Sequence, residues 1–322
     1  MTKDDNQIDA EESRTRIRRM CESLSRFFVE RRPMIELMAV SAVAREPLLL
    51  VGEPGTGKSD LVVKFCEALA VPRSQYFEYL LTQFTEPSEL FGPIDLEQLR
   101  QGHHRRKMIG MLPTAQVVFL DEIFHANSAI LNSMLTVLNE RKVYDDGAPQ
   151  DIAMKVMFAA ANNLPDDPQM RALADRFPLK VCFRTVADAE IMTLIEVGIQ
   201  NECAGLNASY PWAEGLCSMD DIDTAQRAIY NGFVERHDEF FPLAVRQEFL
   251  RWIRTLREEF RVHLSDRRVI RLYKMIRVYA WLFGGGVVRF DHLGLLQHAG
   301  DTVEELDLLA ERVPMLLEAA HA

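Results

Sequence analysis

The stretch VGEPGTGKSDLVVKF, residues 51–65, limits what this chain can become more than any other. Its G-x-x-x-x-G-K-S core, Gly52–Ser59, directly follows the apolar run PLLLVG (47–52) and directly precedes residues with helical spacing. A buried strand, a glycine loop and a helix in that order are what a phosphate-binding loop requires. The glycines let backbone N–H groups turn inward around phosphate oxygens, and the helix N-terminus adds its positive dipole. The competing reading is an ordinary glycine turn, and the agreement between motif and flanking pattern tells against it. Gly52, Glu53, Pro54, Gly55, Thr56, Gly57, Lys58 and Ser59 are the expected nucleotide contacts. Lys58 would reach the β- and γ-phosphates, and the Ser59 hydroxyl would ligate Mg²⁺.

A loop of this kind needs a sheet behind it. Further short apolar runs suited to strands are YFEYL (76–80), VVFLD (117–121), KVMFAAA (155–161) and LKVCF (179–183). Helical spacing is found between most of them, at 58–70, 127–140 and 167–175. Such alternation predicts a parallel sheet with helices on both faces and a ligand at the carboxyl ends of its strands. After about residue 188 only helical periodicity remains, at 188–203, 219–234, 243–262, 266–284 and 301–320. The expected division is a mobile leader at 1–13, an α/β nucleotide-binding domain at 14–185 and a helical domain at 186–322. GGG at 284–286 reads as a helix stop.

Composition excludes several function classes. The 322-residue chain is 48% hydrophobic and carries a formal charge of −11, so it is globular and poorly suited to sequence-independent DNA binding. Five cysteines, odd in number and without CxxC spacing, argue for reduced thiols rather than a disulfide frame or a zinc site. The polar, acidic start MTKDDNQIDAEESRTR has no apolar signal core, and no stretch is apolar for long enough to span a bilayer. A cytoplasmic location is expected. His103 and His104 are adjacent, with no acid or Cys at matching spacing, and make poor metal ligands. No nucleophile elbow supports a Ser–His–Asp reading.

VVFLD ends on Asp121, with Glu122 next. A second strand ending in an acid is what a nucleotide-hydrolysing loop needs to hold magnesium, so Ser59 and Asp121 form the expected metal pair. Glu122 would orient or deprotonate a water. Taken alone, the pair also admits a reading as helix-start charges, which are favoured by roughly 0.3–1 kcal/mol, and the loop upstream tells against that reading.

With AILNSMLTVLNER behind it, the strand–DE–helix unit resembles the MoxR branch of the AAA+ ATPases, and within it the RavA (regulatory ATPase variant A) group. The resemblance extends over VERRPMIELMAVSAVAREPLLLVGEPGTGKS, EPSELFGP, LDEIFHANSAILNSMLTVLNER, AAANNLP, LADRF and LSDRRVIRLYKMIRVYA. It implies an AAA+ core with a five-stranded parallel sheet followed by an all-α lid, ATP and Mg²⁺ bound between them, and a ring, expected to be a hexamer. It assigns Asn162 as the first sensor of the γ-phosphate, with Asn163 as rival. Arg176 matches the arginine finger that enters the neighbouring subunit's site. Arg267 matches the second sensor, with Arg268 as rival. Segments 86–113 and 140–154 fall where the family inserts hairpins, which either shape the ring or touch substrate. DDG at 145–147 suits a hairpin turn. The implied activity is ATP hydrolysis that remodels a partner protein, with a von Willebrand factor A domain adaptor. RavA proteins carry a further domain after the lid, so the adaptor or substrate contact made by that domain is expected to be absent or supplied by another chain. The alternatives are a nucleic-acid motor on the same core, which the acidic balance opposes, and an ATP-bound scaffold with little turnover.

Overall fold

The computed structural model describes residues 3–165, 167–206 and 210–321. Its elements in chain order are α1 (Lys3–Leu24), α2 (Arg32–Ala44), β1 (Leu48–Gly52), α3 (Lys58–Ala68), β2 (Tyr76–Leu80), α4 (Pro87–Phe91) and α5 (Leu96–Arg100). Next come β3 (Val117–Asp121), α6 (Ser128–Glu140), the pair β4 (Lys142–Asp145) and β5 (Ala148–Asp151), β6 (Val156–Ala161), α7 (Pro168–Ala174) and β7 (Leu179–Phe183). Helices α8 (Ile191–Leu206), α9 (Met219–Glu235), α10 (His237–Phe240), α11 (Leu243–Glu258), α12 (Asp266–Phe283) and α13 (Val303–His321) complete it.

Five strands form one parallel sheet in the order β2-β3-β6-β1-β7. The inner strands β3, β6 and β1 are short and nearly continuous in apolar residues because helices cover both faces, whereas the edge strand β2 leaves Glu78 and Leu80 exposed. Alternate residues serve opposite faces. Leu48, Leu50, Phe119, Phe158 and Val181 point into one apolar cluster, while Leu49, Val51, Val118, Leu120 and Met157 point into another around α6. The register aligns Leu48 with Leu179 and Gly52 with Phe183, so all carboxyl ends lie on one edge. Gly52, Asp121, Asn162 and Arg184 therefore end up on that edge.

The first cluster also contains Ile17, Met20 and Leu24 of α1 together with Ile222, Phe249, Trp252 and Leu272 of the later helices. Apolar packing is thus continuous across residue 185. The start of the chain also departs from the expected mobile leader, because α1 is helical from Lys3. Ala10 and Ser13 are buried, and the Ser13 hydroxyl donates to Asp221 at 3.1 Å. Ala10, Ser13, Ile17 and Met20 recur every three or four residues and share one helix face; the polar residues between them hide that stripe.

A buried ion cluster fastens the helical region to the sheet. Lys180 of β7 donates to Asp301 (2.8 Å) and to the Phe177 carbonyl (3.1 Å), and Arg268 of α12 donates to the same carboxylate at 2.7 Å. Burial, followed by the Arg268 charge, pushes the Lys180 ammonium well below its ordinary value. Burial works to raise the Asp301 carboxyl, but its two cationic neighbours hold it below the usual carboxylate range. Asp301→Ala would leave two buried cations facing each other, which should cost about 3–5 kcal/mol. Lys180→Met leaves Asp301 with Arg268 and removes one cation, so its effect should be much smaller. Thermal unfolding of the two variants checks this, and a lower midpoint for Lys180→Met than for Asp301→Ala would contradict it.

Candidate nucleotide site

The loop after β1 is shaped by three glycines. A Cβ on Gly52 would run into the Phe183 carbonyl oxygen of β7, so only glycine lets the neighbouring strand approach there. Gly55 and Gly57 both sit at φ +83°, where L-residues are strained, and a Cβ on either would point into open space. Gly57 is the N-cap of α3 and no side chain caps that helix, leaving its first-turn N–H groups to face the loop. Thr56 braces the loop by donating to the Glu53 carbonyl at 2.8 Å. The Lys58 ammonium is held across the loop by the Gly52 carbonyl, the Glu53 carbonyl (3.0 Å) and the Asn162 amide oxygen (3.4 Å). Burial lowers its proton affinity, and the charges of Asp121 and Glu122 work against that.

The acids sit beside this lysine. Ser59 Oγ donates to Asp121 Oδ2 at 2.8 Å, so two hard oxygen donors from α3 and β3 converge. That pair suits Mg²⁺, which takes one or two protein oxygens and fills its octahedron with water and phosphate. Asp121 Oδ1 accepts the Glu122 backbone N–H at 2.9 Å. Glu122 itself adopts φ 53°, ψ 46°. This left-handed turn separates the two adjacent carboxylates, and a non-glycine residue held this way marks a backbone fixed by its surroundings. The Asn162 amide donates to Glu122 Oε1, and His125 Nδ1 lies 3.5 Å from Glu122 Oε2. Asn162, rather than Asn163, bridges Lys58 and Glu122. Lys58, Ser59, Asp121, Glu122 and Asn162 thus meet at one edge of the sheet.

A cleft of about 770 Å³ opens next to the loop. Val51–Glu53, Thr56, Asn162, Asn163 and Cys182–Thr185 line its sheet side, while Val303, Asp307, Ala310 and Glu311 of α13 form the opposite wall. Arg184 donates to Asp307 at 2.6 Å across one end. The helical region therefore does border the cleft, through α13. Sequence reasoning did not identify these α13 residues. They lie more than a hundred residues beyond the loop, on a helix whose acids look like ordinary solvated charges.

Arg176 and Arg267 are elsewhere. Arg176 precedes β7 and donates to its neighbour Asp175 at 2.9 Å. Its carbonyl accepts from Arg271 of α12 at 2.8 Å. Arg267 donates to Asn139 at the end of α6 at 2.7 Å. Both arginines lie at the amino-terminal edge of the sheet, separated from Lys58 by the length of β1, about 13 Å of strand. Within one chain Arg267 therefore lies away from the glycine loop, because α12 begins at the amino-terminal end of the strands. Arg268, its rival, is 1% exposed and pairs with Asp301 and with the carbonyls of Pro178, His263 and Gly300.

The two inserted segments dock on each other. β4 and β5 pair antiparallel around Asp146–Gly147, both at positive φ, which is a two-residue hairpin turn. The segment 86–113 forms short helices and a single bridge, Ile94 to Arg106, rather than a regular hairpin. Its tip rests on that turn: the His104 N–H donates to Asp146 and the Arg106 N–H to Asp145, each at 2.9 Å. Among the described residues, Asp175, His263 and Asp301 approach one another closely enough to share a cation. Lys180 and Arg268 already supply positive charge there. No helix among the described residues is long and apolar enough to cross a membrane.

Comparison with known proteins bears on the fold and on the family. A solved structure from Cytophaga hutchinsonii, described as a "putative ATPase", aligns with a TM-score of 0.72 over 97% of this chain and 96% of its own, at 14% identity. That likeness concerns the fold, an AAA+ α/β core followed by helices. Two uncharacterized proteins of Methanocaldococcus jannaschii are similar in sequence. MJ0812 is 28% identical over 278 residues, 86% of this chain and 69% of its own. MJ0079 is 29% identical over 285 residues, 88% of this chain and 69% of its own. The structural protein ORF618 of Acidianus two-tailed virus is 34% identical over 139 residues, 42% of this chain and 22% of its own. The family model described as the MoxR domain in the MoxR-vWA-beta-propeller ternary systems matches residues 15–226, more than half of the chain. With that match and the AAA+ core around Gly52–Ser59 and Asp121, the chain belongs to this family of MoxR domains.

Proposed function

We propose that this MoxR domain hydrolyses ATP with Mg²⁺ in a ring of like subunits, expected to be a hexamer, and uses the cycle to remodel a partner protein. The observation that carries this reading is the continuous set of contacts from Ser59 through Asp121 and Glu122 to Asn162 and Lys58. Gly52–Ser59 would cradle the phosphates, and Lys58 would leave its loop carbonyls for them. Ser59 and Asp121 would hold Mg²⁺, which supplies charge neutralisation at the β- and γ-phosphates. Asn162 orients Glu122, and the two together place the water for in-line attack. Glu122 accepts a proton from that water as it attacks. Arg176 and Arg267, on the far edge of the same chain, would complete the site of the next subunit. A protein carrying a von Willebrand factor A domain is the partner we favour, because the matching family is described from MoxR-vWA systems.

The test is Mg²⁺-dependent phosphate release measured against protein concentration. Specific activity should climb as subunits assemble and then level off, because each site borrows an arginine. A specific activity independent of concentration and of assembly state would refute the shared site, and absence of hydrolysis in assembled protein would refute the activity.

A further inference from the structure

Arg176 is not presented on a loose loop. Asp175 Oδ2 accepts from Arg176 Nη1 at 2.9 Å, and the same carboxylate accepts the Ser265 hydroxyl at 3.1 and 3.4 Å. Ser265 is the N-cap of α12, and its oxygen also accepts the Arg268 N–H at 3.3 Å. One turn further along, Arg271 donates to the Arg176 carbonyl and pairs with Glu46 at 3.3 Å; Lys274 reaches the same glutamate at 2.8 Å. The residue after the next on the same helix start is Arg267. The Arg176 side chain is mostly buried, and its Nε has no hydrogen-bond partner, so the guanidinium is held through Nη1.

From this we infer that Asp175 and Ser265 are positioning residues that fix Arg176 to the first turn of α12, so that Arg176 and Arg267 are carried to the neighbouring subunit as one rigid pair. The inference rests on the proposed role of Arg176 across a subunit interface and adds what holds it there. Both attachments come from α12: the Ser265 hydroxyl reaches the side chain through Asp175, and the Arg271 guanidinium reaches the main chain. The buried Lys180–Asp301–Arg268 cluster anchors the same turn to β7. With that turn fixed to β7, the two arginines keep one position relative to the sheet and to each other.

Ser265→Asn and Ser265→Asp separate this from simple helix capping. Both replacements are strong N-caps of nearly the same shape. Asn can also donate to Asp175, whereas Asp cannot donate and sets a like charge against it. In assembled protein, Ser265→Asn should keep kcat near wild type. Ser265→Asp should lower kcat by about 10–100-fold, the scale of a misplaced positioning group, with the KM for ATP little changed. Mixing Ser265→Asp subunits with Glu122→Gln subunits should restore turnover, because the first supply intact loops and the second intact arginines. Wild-type kcat in Ser265→Asp, equal losses in both variants, or no recovery on mixing would each overturn the inference. Arg176→Ala, run alongside, tests the underlying reading: full activity there would remove the arginine's role itself, whereas a large loss there with a normal Ser265→Asp would remove only the linkage.

Discussion

Glu122→Gln should bind ATP as well as wild type and hydrolyse it about 10²–10⁴-fold more slowly, the usual worth of a positioned general base. The substitution is nearly isosteric. Its amide oxygen can still accept from Asn162 Nδ2, and the left-handed turn that aims the side chain lies in the backbone, so the geometry around Lys58 and Asp121 should persist. Only the capacity to take a proton is lost. Single-turnover hydrolysis alongside equilibrium binding of radiolabelled ATP reads the two effects separately. Normal turnover would mean that another group activates the water, with His125, 3.5 Å from Glu122, the first to test. Failure to bind ATP would mean that Glu122 supports the loop instead. The bound but uncleaved state is also the form in which a partner with a von Willebrand factor A domain should be captured.

Arg176→Ala should lower turnover by about 10³–10⁵-fold, the range of an arginine finger. ATP binding should change little, because the residue lies at the opposite strand edge from Lys58. The more discriminating result comes from mixing. Arg176→Ala subunits have an intact Glu122, and Glu122→Gln subunits have an intact Arg176. Each should be nearly inactive alone, and a mixture should regain activity at every interface where the first type's loop meets the second type's arginine. If Arg176 served its own chain's nucleotide, mixing would restore nothing. The strand register makes that outcome hard to reconcile with the fold, since Arg176 precedes Leu179, which pairs with Leu48, four residues before Gly52.

The local pieces of the site were legible because each is written in consecutive residues. The strand limits of β2, β3 and β7 match the runs YFEYL, VVFLD and LKVCF residue for residue, because short runs of β-branched, aromatic and aliphatic residues between helical patterns carry the strand signal locally. Gly52–Ser59 and the Asp121–Glu122 pair stood out for the same reason. A glycine loop and a strand-terminal acid carry their chemistry within a few positions. That the Asp146–Gly147 turn would close a hairpin was readable from its residue types alone.

Sequence by itself therefore determined the strands, the alternation that makes them parallel, the glycine loop between β1 and α3 and the acids at the strand end. Only the tertiary structure decided which residues share an edge of the sheet. It set Lys58 and Asn162 against Glu122 at one edge, and Arg176 and Arg267 at the other. It buried Arg268 with Asp301 while leaving the adjacent Arg267 exposed, although the two read alike in SDRR. It drew α1, polar in most positions, into the core beside α9, and laid α13 against the loop's cleft. The reason is physical: period and composition report how a segment is solvated, whereas strand register and helix docking depend on contacts between residues far apart in the chain, which no local pattern encodes.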